Sequence, residues 1–142
     1  MIEKTVILRC APARAFQLFT ELAGEWWPED RRHTKDRASA IVLDPITRGG
    51  RFYERAADGT EIELGKVRVW EPPTRLLLDW YPGTGPTLPT EVEVRFDAVI
   101  EGTRVTVLHR EGASGALYSQ RAPAYERSWT LVFAAWESAA HA

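Results

Sequence analysis

Glu91 to Asp97 reads EVEVRFD and Arg104 to Arg110 reads RVTVLHR, and in both stretches apolar and polar residues alternate one for one. A side-chain period of two is the signature of a strand with one buried and one wetted face. Val92, Val94 and Phe96 then point to one side together with Val105, Val107 and His109, while Glu91, Glu93, Arg95 and Asp97 point to the other. Between the two runs lies Glu101-Gly102. Taken as a two-residue turn, it places Phe96 opposite Val107 and Val94 opposite His109.

Working outward, about six strand-like segments follow Ala38, punctuated by Asp44-Pro45, Gly49-Gly50, Asp58-Gly59, Pro72-Pro73, Pro82-Gly83 and Glu101-Gly102. No gap is long enough for a crossover helix, so the strands read as an antiparallel meander. Ile2 to Arg9, rich in β-branched residues, supplies a first strand. Pro12 then opens a short helix with Ala15, Phe16, Phe19 and Leu22 on one side, interrupted at Gly24. Glu29 to Arg37 has neither period and reads as an exposed loop. One stretch is out of phase: Glu61, Glu63 and Gly65 share the parity of Val67 and Val69, yet Ile62 and Leu64 are the apolar residues. A bulge near Gly65 resolves the conflict. At the far end Tyr125, Trp129, Val132 and Trp136 recur at helical spacing with Phe133 alongside, predicting a helix that starts near 119–122 and runs to 140, with Pro123 in its first turn.

Strand, short helices, meander and one long helix make a two-layer α+β fold, within the size of a single domain over residues 1–142. A hydrophobic fraction of 44% with 27% charged residues is that of an ordinary globular chain. The net charge is -2 and no basic stripe occurs, which argues against a nucleic-acid partner. Cys10 stands alone, so neither an internal disulfide nor a thiolate zinc cage is expected. His33, His109 and His141 are scattered and no HExxH pattern is present; no metal and no cofactor are expected. Gly49-Gly50 and Gly83-Thr84-Gly85 do not lead from a strand into a helix, which excludes a phosphate cradle. Apolar runs are short and the N-terminus is charged, so the expectation is a cytoplasmic protein with no membrane insertion, as monomer or homodimer.

A long helix across a curved sheet leaves space at one end that side chains either fill or leave open. Tyr125, Trp129, Val132, Phe133 and Trp136 form the roof of that space. Val67, Val69, Leu78 and Trp80 from the middle strands, with Val94, Phe96 and Val107 from the last two, form its floor. Six tryptophans in so short a chain favour a cavity, because large rings on a curved surface interlock less well than Leu and Ile. Trp26 and Trp27 follow the helix break and serve either as a lid or as a plug. Glu54 shares the side of Phe52, and His109 that of Val107, which makes a carboxylate and an imidazole candidates to face the same space. Read as chemistry, they form an acid and base for enolisation or dehydration. Read as structure, Glu54 is satisfied by an Arg or a backbone donor and His109 by Tyr125 or water.

The pieces AFQLFT with WWP (Ala15 to Pro28), GGRFYER with DG (Gly49 to Gly59), GKVRVWEPPTRLLLDW (Gly65 to Trp80), TEVEVRF (Thr90 to Phe96), GTRVTVLHREG (Gly102 to Gly112) and Tyr125 with Trp129 follow in a familiar order. In this the chain resembles the bacterial single-domain relatives of the activator of the 90-kDa heat shock protein ATPase, within the START-like, Bet v 1-like superfamily. The resemblance implies a helix-grip fold: a curved antiparallel sheet of about six or seven strands around a long C-terminal helix, with two short helices after the first strand and an internal cavity for hydrophobic ligands. Two departures stand out. Ser128 precedes Trp129 where the group usually has Gly, and residues 81–89 form a Pro-Gly-rich loop.

Three functions compete. The first is a non-catalytic carrier or sensor of a hydrophobic or amphipathic small molecule. The second is a cyclase, aromatase or dehydratase using Glu54 and His109, as elsewhere in the superfamily. The third is a module regulating a chaperone ATPase, which ranks last because the additional domain of the eukaryotic relatives is missing.

Overall fold

The computed structural model describes all 142 residues, Met1–Ala142. The elements run β1 (Ile2–Leu8), α1 (Pro12–Phe19), two single 3-10 turns at Ala23–Glu25 and Glu29–Arg31, then β2 (Ala40–Asp44), β3 (Arg51–Arg55), β4 (Glu61–Glu71), β5 (Arg75–Trp80), β6 (Thr90–Val99), β7 (Gly102–Arg110) and α2 (Ala116–Ala140). Every strand pairs antiparallel, in the order β1-β7-β6-β5-β4-β3-β2. The meander therefore runs unbroken from β2 to β7, and β1 closes on the last strand. The expected α+β helix-grip arrangement is present, with α2 lying over the inner face.

The β6–β7 hairpin keeps the predicted faces with a different pairing. Phe96 lies opposite Val105, Val94 opposite Val107 and Val92 opposite His109. The turn is Ile100-Glu101, one position earlier than expected, and moving a two-residue turn by one position slips the register by two. Parity survives a slip of two, so every inner residue stays inner. On the outer face Glu93 accepts from Arg75, Arg95 and Arg110. Burial under these side chains pushes its carboxyl up, but the three guanidiniums win and hold it down to about 2.

Two bulges set the phase of β4. Phe52 pairs with Gly65 and Tyr53 with Glu63, which leaves Leu64 as the extra residue. A side chain at Gly65 would meet the Asp79 carbonyl at 2.3 Å, so glycine is what lets the bulged strand approach β5. The second bulge omits Arg68 between Val67 and Val69. It inverts the parity once more: Val67 faces Leu78 in the core, whereas Val69 pairs with Leu77 on the outer face. Val69 is therefore not part of the floor, a correction that follows from this extra residue.

Helix α2 starts at Ala116, ahead of the expected 119–122, with Pro123 inside it. The missing amide falls on the exposed side, so the Ser119 carbonyl that loses its helical donor faces solvent. The extra turns bury Tyr118, whose hydroxyl donates to the His109 carbonyl at 2.7 Å. No helix is long and apolar enough to cross a membrane.

Candidate functional site

The space between α2 and the sheet is solid at one end and open at the other. At the solid end Trp136 is fully buried against Phe19, Phe96 and Phe133. Trp26 stacks on it at 5.6 Å and an interplanar angle of 15°. The Trp26 indole donates to the Leu18 carbonyl at 2.7 Å, which ties this ring to α1 as a plug. Trp27 turns the other way, against Trp80 at 6.2 Å. Between Trp27, Phe19 and Phe52 remains a gap of about 10 Å³, room for at most a single water.

Beyond Trp27 the packing stops. A pocket of about 280 Å³ opens there, walled by Trp27, Trp80, Tyr125 and Trp129 and completed by Ile41, Leu64 and Val132. Its polar lining consists of Arg31, Arg32, Glu54, Arg121 and Ser128, with Pro82 and Gly83 at the lip. Of the predicted cavity residues, Trp27, Glu54, Trp80, Tyr125, Trp129 and Val132 line this pocket. Val67, Leu78, Val94, Phe96, Val107, Phe133 and Trp136 are buried in the packed core instead, as are Trp26 in part and Phe52 behind the Trp27 ring. The curvature leaves room only past the point where Trp26 and Phe19 fill the end near α1.

Glu54 and His109 do not meet. Glu54 is fully buried, and its oxygens accept from the His33 amide at 2.7 Å, the Thr34 amide at 3.1 Å and the Thr34 hydroxyl at 2.6 Å. Burial pushes this carboxyl up, and the donors from Thr34 and His33 outweigh it, so its pKa lies below the usual carboxylate range. His109 sits behind the pocket wall and outside its lining. Trp129 Nε1–H donates to its Nδ1 at 3.0 Å, so Nδ1 is the acceptor nitrogen and Nε2 carries the proton. That proton faces Thr90 Oγ1 at 2.8 Å, and the Thr90 hydroxyl donates onward to the Trp80 carbonyl at 3.2 Å. The chain ties the roof at Trp129 to the floor at Trp80. Tyr125 touches the imidazole through its ring, at 4.2 Å, and gives its hydroxyl to the Pro82 carbonyl at 2.8 Å. Of the two readings of these residues the geometry supports the structural one, with a fixed anion on one side and a hydrogen-bonded imidazole on the other.

Burial holds His109 neutral, with its pKa lowered to about 3, and the positive N-terminus adds to the effect. Below about pH 6.5 the unfolded chain takes up a proton that the folded one refuses, so folding stability falls as the pH drops toward 3. Between pH 7 and 5.5, where most carboxylates are still ionised, the expected loss from His109 is about 1 kcal/mol. Denaturant titrations at several pH values check this, and in His109→Gln the slope over that interval should flatten.

Arg32 escaped the sequence reading, because a polar run without period looks solvated. It is 2% exposed. Its guanidinium donates to the carbonyls of Trp27 at 3.1 Å, Ser39 at 2.7 Å and Gly24 at 2.8 Å, which gathers residues 24–39 into one wall of the pocket. Burial lowers its pKa and the charge of Glu54 opposes that. Arg121 and Ser128 were also missed, although they share one stripe of α2 with Tyr125 and Val132 at intervals of four, three and four. Arg121 Nε donates to the Gly83 carbonyl at 2.9 Å. Gly83, at φ +86°, packs so close to the Tyr125 hydroxyl that a side chain would approach it to 3.0 Å.

Compared with known proteins, residues 9–141 match the family described as Activator of Hsp90 ATPase homolog 1-like protein. No curated protein matches the chain. Among solved structures, a Nitrosomonas europaea protein superposes with a TM-score of 0.71 at 14% identity, over 99% of this chain and 93% of that one. A Staphylococcus aureus protein of unknown function gives 0.69 at 16% identity, over 99% and 92%. Both show the fold alone. A third structure, of an anthrahydroquino-gamma-pyrone synthase solved as a complex, is 31% identical over 80% of each chain, with a TM-score of 0.59.

Proposed function

We propose, from the premise that this chain belongs to the family of Activator of Hsp90 ATPase homolog 1-like proteins, that it binds a hydrophobic or amphipathic small molecule in the pocket beneath Trp129. The observation that carries this reading is the lining: four aromatic rings around about 280 Å³ of space, beside a gap behind Trp27 of only about 10 Å³. An apolar wall with a few fixed polar groups is the usual build of a small-molecule site. Space of that size corresponds to roughly nine waters, or to a molecule of one or two rings.

The likeness to the synthase favours a second reading, in which the bound molecule is a fused-ring aromatic and is chemically changed. Here Glu54 would act without His109, which has no access to the pocket. Regulation of a chaperone ATPase rests on the family description alone and on no feature of this chain.

Titration with one- and two-ring aromatic compounds tests the first reading through quenching of tryptophan emission. Saturable quenching is expected in the native chain and not in Ala124→Phe, which fills the pocket from a half-buried position on α2. Quenching that is linear in ligand, or equal in both proteins, rejects it. Mass analysis of the recovered ligand separates the readings, since a carrier returns it unaltered.

A further inference from the structure

The polar groups of the pocket are unevenly balanced. Arg31, Arg32 and Arg121 stand against a single carboxylate, Glu54. Glu54 already accepts from three donors and Arg32 already donates to three carbonyls. That leaves Arg31 and Arg121, neither of which forms an ion pair with any carboxylate in the protein. On the sheet Arg51, Arg55, Arg68, Arg75, Arg95 and Arg110 each pair with a carboxylate, and Arg104 does not. Arg31 and Arg121 sit where the pocket opens.

The mouth leads into a wider polar vestibule of about 620 Å³ between the segments around Arg31 and around Thr84. Asp30 and Glu63 also border it, and Glu63 is taken by Arg51 at 3.0 Å. At this junction two polar atoms are buried with no partner: Arg31 Nε and Thr84 Oγ1. A buried donor left unpaired costs free energy, which favours a small turn of the side chain to meet a ligand acceptor. Arg31 is also steered. Its Nη1 donates to Ser128 Oγ at 3.1 Å, and this contact with α2 aims the guanidinium at the mouth.

Resting on the ligand-binding reading above, we infer that the natural occupant is an aromatic carboxylate: a flat one- or two-ring body against Trp27, Trp80 and Trp129, with its carboxylate on the guanidiniums of Arg31 and Arg121. A planar guanidinium offers paired N–H groups at the spacing of two carboxylate oxygens. Ser128 is a positioning residue acting through Arg31, and Thr84 supplies a hydroxyl beside the head group.

Calorimetric titration of the full chain with 2-naphthoate and with its neutral counterpart 2-naphthalenemethanol tests the inference. The carboxylate should bind about tenfold tighter than the alcohol, and added salt should weaken the carboxylate alone. Arg31→Gln should bring the two within about twofold, Arg31→Lys should restore part of the preference, and Ser128→Ala should reduce it severalfold. Thermal unfolding monitors the fold of each variant, and the salt dependence of the native chain needs no variant at all. Equal affinity for the two probes, or an equal loss of both in Arg31→Gln, overturns the carboxylate while leaving the pocket as a binding site. If the native chain binds neither, the binding reading falls and the inference with it.

Discussion

Arg32→Ala should lower the free energy of unfolding by about 3 to 5 kcal/mol, among the largest effects of any single substitution on an arginine of this chain. Arginines are normally removed from a surface at little cost; this one is buried, and its loss strands the carbonyls of Gly24, Trp27 and Ser39 without donors. It also removes the positive charge that faces Glu54. Against a typical stability of about 5 to 15 kcal/mol, such a loss threatens folding itself. Arg32→Lys should recover less than half, because one ammonium on a flexible stem does not reach three carbonyls that a planar fork spans. Denaturant titration at pH 7 checks both, with Arg31→Ala as the control, expected to change stability by less than about 1 kcal/mol.

Trp136→Ala should cost about 3 to 5 kcal/mol as well, for a different reason. The ring is 0% exposed and wedged among Phe19, Trp26, Phe96 and Phe133, none of which can swing to refill the void. Trp136→Phe should cost far less than its lost area implies, because the indole N–H is buried without an acceptor and phenylalanine removes that unpaired donor. Ligand affinity in the phenylalanine variant should stay near that of the native chain, since Trp136 belongs to the packed end and Trp129 to the open one. Thermal unfolding and the quenching titration together separate the two roles.

The strands were legible because alternation is local: Val92, Val94 and Phe96 announce their face without knowledge of any partner. The bulge at Leu64 was legible for the same reason, as a break in parity next to a glycine. The one at Arg68 was not, because Val67 and Val69 are both apolar and the extra residue between them leaves the pattern looking intact. The start of α2 was misread because proline fits best in a first turn, whereas here the exposed side of the helix tolerates it. The site was the least legible part. Trp27, Trp80, Tyr125 and Trp129 were named for being large and apolar, which equally describes Trp136, and nothing local distinguishes a ring that closes a core from one that borders a void. Arg32 was hidden by its neighbours in a charged run, and Glu54 met His33 and Thr34 only because residues 24–39 fold back across β3.

The hydrogen-bonded chain from the Trp129 indole through His109 and Thr90 ends on the Trp80 backbone carbonyl and so holds the Trp129 ring against β5. The centroids of Trp80 and Trp129 are 6.0 Å apart and the planes are tilted by 31°. A flat molecule clasped between two rings needs about 7 Å, one contact distance on each side. These tongs are shut, so on the proposed reading a guest would be shelved against one indole face instead of being gripped by both. Substituents that widen its outline should then cost more affinity than ones that thicken its far side.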